Sequence, residues 1–145
     1  MNHLVFLDAQ AGELEKILSG TKSMLAKQLE PERSPGSTVS SGDSLYFLRD
    51  KDECNLRVKA NVVRVLDISN NLDNDLTHTL KELQPKLQLT EVQYNYWSVK
   101  RQVQLVEFEY AHKIDIIQVA APKVSGQSDW IAFKDISQIT ETKKL

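Results

Sequence analysis

The residue pattern predicts an α+β fold, a small β-barrel with flanking helices and a helical insertion. Three observations predict it. In one segment Leu56, Val58, Ala60 and Val62 alternate with Arg57, Lys59 and Asn61, and beyond Val62 the apolar set moves to Val63 and Val65. That phase change is expected where a bulge bends a strand around a barrel. Residues 69–90 then switch to helical spacing. Residues 104–119 return to a run rich in Val, Ile, Phe and Tyr, the composition of a long strand.

Taken in order, residues 3–7 form a short apolar run that reads as a buried strand. Residues 11–18 carry Leu14, Ile17 and Leu18 at helical spacing before Gly20. Residues 30–43 gather Pro31, Pro35, Gly36, Gly42 and several serines, which is loop chemistry. A strand over 44–49 follows, with a polar turn at 51–55 into the alternating strand. In the insertion Leu72, Leu76, Leu80 and Leu83 make one stripe, and Pro85 is expected to stop that helix. Thr90 and Gln93 have the spacing of a capping box, opening a short helix with Val92, Tyr96 and Trp97 as its apolar stripe. Residues 129–133 read as the closing strand.

The chain has 145 residues, 41% apolar and 26% charged, with a formal charge of -2. These values suit one globular domain over 1–145. They exclude a protein that coats nucleic acid through bulk positive charge, so any such site has to be local. Cys54 is the single cysteine, which rules out a disulfide framework and a thiolate metal cluster. His3, His78 and His112 lie far apart, so neither a metal nor another cofactor is expected. The apolar start is too short for a signal peptide and lacks a basic region, and no stretch approaches the roughly 18 residues of a membrane-spanning helix. The expected location is the cytoplasm, with no membrane contact.

The stretch Gly20-Thr21-Lys22-Ser23-Met24-Leu25-Ala26-Lys27, followed by a loop and then Gly42-Asp43 at the start of the next strand, resembles the ASCH family of the PUA-like superfamily. Leu87-Gln88-Leu89-Thr90 with Gln93, Trp97, Lys100 and Arg101 is similar to small bacterial members of that family. The resemblance spans nearly the whole chain and implies a PUA/ASCH-like barrel with a cleft beside the Lys22 turn. Related domains bind RNA or a modified nucleoside there. Some ASCH relatives are amidohydrolases acting on an acylated cytidine, in which the lysine is joined by a threonine three positions later and a glutamate further along. Lys22 matches that lysine, but Leu25 occupies the threonine position and Lys27 stands where arginine is typical. Leucine exchanges neither protons nor hydrogen bonds, so that mechanism loses a member.

The resemblance therefore points to binding rather than catalysis, with RNA or a nucleotide-like ligand as partner. Lys22, Lys27, Arg57 and Lys59 are the candidate phosphate ligands, set against the plainer reading of solvated lysines at a helix end and a wet strand face. Trp97 or Tyr46 would stack on a base, with Lys100 and Arg101 beside the former. A hydrolase would use Lys22, with Glu30 or Glu32 as base. A third reading is an interaction domain with an exposed apolar patch on the helix carrying Leu72 to Leu83. The Gly20-Thr21-Lys22-Ser23 turn lacks the upstream glycine of a phosphate-cradling loop, which argues against a nucleotide triphosphatase.

Overall fold

The computed structural model describes residues 1–28, 39–49, 55–69, 76–120 and 130–140. Six strands form one sheet: β1 (Asn2–Phe6), β2 (Met24–Gln28), β3 (Ser44–Leu48), β4 (Asn55–Ser69), β5 (Gln102–Gln118) and β6 (Trp130–Phe133), in the order β2-β5-β4-β3-β1-β6. Among the described residues four α-helices accompany it: α1 (Glu13–Leu18), α2 (Leu76–Glu82), α3 (Gln84–Leu87) and α4 (Glu91–Ser98). β1 pairs in parallel with β3 and antiparallel with β6, so it lies inside the sheet. Its Leu4, Val5 and Phe6 are buried on both faces, hence the continuous apolar run.

The sheet curls because β4 and β5 pair with three register shifts, one of them between Val62 and Arg64 where the sequence pattern changes phase. One face of the curl encloses Val5, Leu25, Leu45, Phe47, Val58, Ala60, Val62, Val106 and Phe108. On the other face, Leu4, Phe6, Leu48, Leu56 and Phe133 pack with Val119 and Ile139. The helical insertion buries Leu76, Leu80, Leu87 and Leu89 on Met24, Val103 and Leu105.

Four sequence expectations change here. β2 replaces what reads as the start of a loop: Met24 and Ala26 face the insertion while Leu25 faces the curl, so the strand lacks the polar alternation that marks one wet face. α2 ends at Glu82, just before Pro85, but the chain does not leave helix there: Pro85 sits in the first turn of a new helix, α3, where its missing N–H removes no helical hydrogen bond. The Thr90–Gln93 capping box forms in both directions, yet α4 packs on the core through the half-buried Tyr94 and Trp97, while Val92 is 78% exposed and Tyr96 51% exposed. The helix proposed as an exposed apolar patch has Leu76 and Leu80 fully buried, and Leu72 lies outside the described residues. Among the described residues no helix is long and apolar enough to cross a membrane.

Candidate functional site

The Lys22 turn is built by the end of α1. Gly20 takes a left-handed φ of 82°, and the amides of Thr21 and Lys22 both donate to the Lys16 carbonyl, at 2.9 and 3.0 Å. The reversal sends the Lys22 side chain inward, where only 1% of the residue is exposed. Its ammonium donates to the Leu87 carbonyl and lies 3.3 Å from Glu13 Oε2, while Glu13 Oε1 accepts from the Asp8 amide at 2.7 Å. Burial lowers the Lys22 pKa from its ordinary value, against the raising effect of Glu13.

α3 roofs this turn through three consecutive carbonyls. Ser23 N–H donates to Lys86 O at 2.9 Å, Lys22 to Leu87 O, and Lys16 Nζ to Gln88 O at 3.2 Å. Helix carbonyls at a C-terminal end lack intrahelical partners, and two ammonium groups supply them here. Lys86 Nζ in turn meets Glu107 Oε2 at 2.5 Å, and Arg64 Nε meets Oε1 at 2.9 Å. The Lys86 hydrogen bond is the main reason the Glu107 pKa is lowered.

A second buried pair stands near the start of β1. His3 is fully buried, with Nε2 2.9 Å from Asp43 Oδ2 and its ring 6.0 Å from that of Trp130. Asp43 also accepts from the Ser40 amide at 2.9 Å and from the terminal ammonium of Met1 at 3.4 Å. Burial lowers the His3 pKa against the opposing pull of Asp43. For Asp43, burial acts to raise the pKa, and the hydrogen bonds from His3 and Ser40 outweigh it, so the net direction is down. The Gly42-Asp43 motif thus has a physical content: Gly42 adopts a φ of 93° and Asp43 ties the strand start to β1.

The other sequence-predicted residues fall in three settings. Lys27, two positions beyond Leu25, shares its inner face, and its Nζ lies 5.8 Å from the Trp130 ring centroid, so the β2 and β6 edges approach one another. Lys59 lies opposite Tyr46 in the ladder, 5.5 Å over that ring on the opposite face of the sheet, with Arg57 exposed two positions away. Lys100 sits 4.2 Å over Tyr96, whose ring meets Trp97 edge-on at 4.9 Å, and Arg101 is exposed. Lys22 and Lys59 are not brought together. Leu25, at the threonine position, is buried in the core. Glu30 and Glu32 lie outside the described residues.

Sequence reasoning missed Glu13, the His3–Asp43 pair and Trp130. Glu13 looks like an ordinary first-turn acid, and only the folded turn sets it against Lys22. His3 carried one signal, a histidine within an apolar run.

No protein-family model matches the chain, and no curated protein matches it either. Solved structures do match. ASCH from Zymomonas mobilis is 11% identical, with a TM-score of 0.65 over 92% of this chain and 87% of that one. A Ser→Ala variant of the same protein gives 0.66 at 11% identity, covering 93% and 89%. A Tyr→Phe variant gives 0.63 at 12% identity, covering 93% and 91%. The likeness shows the fold: this chain has the α+β architecture of those ASCH structures.

Proposed function

We propose that the chain is a binding module for RNA or a nucleotide-like ligand, taken beside the Lys22 turn where the β2 and β6 edges approach. The observation that carries this reading is the Lys27 ammonium over the half-buried Trp130 ring. A base that stacks on the indole displaces the ammonium toward the ligand's own phosphate, which combines the two contacts single-stranded nucleic acids use. Lys22 is assigned a positioning role, because its ammonium is engaged by Leu87 and Glu13. Lys59, Arg57, Lys100 and Arg101 with Trp97 serve as outlying contacts. The test is a titration of short single-stranded RNAs and modified nucleosides at two salt concentrations. Binding should weaken with salt, and Lys27→Ala should reduce the logarithmic salt slope by about one. Absence of saturable, salt-dependent binding would sink the reading.

A second reading, an amidohydrolase acting on a modified nucleoside, has one specific observation behind it: a desolvated lysine meeting a carboxylate, Lys22 with Glu13. It requires α3 to lift from the turn. Release of acid from an N4-acylated cytidine, abolished by Glu13→Gln in a folded variant, is the result it demands.

A further inference from the structure

Lys27, whose ammonium lies over Trp130, begins a polar row that crosses the inner face of the sheet. In the ladder Lys27 of β2 is opposite Gln104 of β5, and Gln104 is opposite Asp67 of β4. The apolar row two positions away, Leu25, Val106 and Val65, belongs to the core that the curl encloses. Side chains two positions apart on a strand share a face, so Lys27, Gln104 and Asp67 all project to that inner side.

Gln104 is only 5% exposed, and its Nε2 donates to Asp67 Oδ1 at 2.8 Å. A buried amide costs free energy that an apolar side chain in the same place would not, and the hydrogen bond offsets it. The effect is to hold an exposed carboxylate in one orientation. A carboxylate has about four acceptor sites, and Gln104 takes one of them. Asp67 is exposed, and Lys27 and Trp130 are half-buried, so each of the three presents surface to a ligand.

Resting on the binding reading above, we propose that Asp67 selects a guanine next to the phosphate held by Lys27. The order is Trp130, Lys27, Gln104, Asp67, and adjacent strands lie about 4.8 Å apart, which puts Asp67 about 10 Å from Lys27 across the ladder. One base stacks on Trp130, the linking phosphate meets Lys27, and the next base reaches Asp67. An ionised carboxylate accepts hydrogen bonds and donates none, so it favours a base edge made of N–H groups. Among the four RNA bases only guanine carries two donors side by side on its Watson–Crick edge, the N1–H and the 2-amino group. Adenine and cytosine set one amino group beside a ring nitrogen that repels the second oxygen, and the uracil N–H is flanked by carbonyls. Asp67 is thus the specificity-determining residue and Gln104 its positioning residue.

The experiment follows backbone amide resonances of the full chain during titration with the dinucleoside monophosphates UpG, UpA, UpC and UpU, with GpU as the reversed order. UpI, whose inosine lacks the 2-amino group, is the isosteric control. The better of UpG and GpU should bind about tenfold tighter than UpA, UpC and UpU, with UpI between them. Asp67→Asn should bring all of these within about twofold of one another while leaving UpU binding unchanged, which also shows that the variant folds. Gln104→Leu should reduce the preference for guanine about threefold and leave UpU unchanged, a ratio that a purely structural glutamine would not move. Equal binding of UpG, GpU and UpA overturns the guanine assignment and leaves the binding module standing, as does a guanine preference that survives Asp67→Asn. Saturable binding by none of the dinucleotides overturns both.

Discussion

An ammonium taken out of water needs both a counter-charge and acceptors, and Lys22 has Glu13 and the Leu87 carbonyl. Removing one member leaves the other buried and uncompensated. Lys22→Met should therefore cost about 3–5 kcal/mol of stability in urea unfolding, and the Lys22→Met/Glu13→Leu double variant should recover a large part of it. Additive losses would show that the two groups do not act as a pair. His3 is also buried, and burial lowers its pKa below the ordinary 6.5 against the opposing hydrogen bond of Asp43. As pH falls through 6.5 the unfolded chain takes up a proton that the folded chain refuses. Stability is thus full above that pH and declines below it. His3→Gln should flatten the dependence of unfolding free energy on pH below 6.5; an unchanged slope would assign it to other groups.

At the scale of elements, single residues decide where chain segments begin. The Thr90 hydroxyl accepts from Gln93 N at 3.2 Å and Gln93 Oε1 accepts from Thr90 N at 3.0 Å, so Thr90→Ala should cost about 1 kcal/mol by thermal melting. Gly42 holds a φ of 93° with open space where a Cβ would stand. Gly42→Ala should cost about 1–2 kcal/mol from backbone conformation alone, and an unaltered melting point would refute that assignment. These devices were legible beforehand to different degrees. Thr90-x-x-Gln93 is a local signal and reads directly. The alternation of β4 and its phase change at Val62 are likewise local, and both appear in the structure as one buried set and a register shift. β2 was hidden because two different neighbours cover its two faces, a property of the tertiary arrangement rather than of five residues.

For the molecule as a whole, the barrel with its helical insertion was readable because long periodic segments carry their own face assignment. The candidate site was less so. Lys22 and Lys27 were visible as cations in a turn and a following segment, but one is sealed under α3 and the other lies over Trp130, a ring more than a hundred positions away. No sequence spacing encodes such a meeting. The interlock between the α1 turn and α3 joins residues 16–23 to residues 86–88, far apart along the chain. Docking of the insertion can therefore be timed from the strand side: the Ser23 amide, which donates to Lys86 O, should exchange with solvent hydrogen at the rate at which α3 leaves the sheet. If α3 lifts more often than the barrel unfolds, Ser23 will exchange faster than the core amides of β4, and the molecule will behave as two cooperative units rather than one.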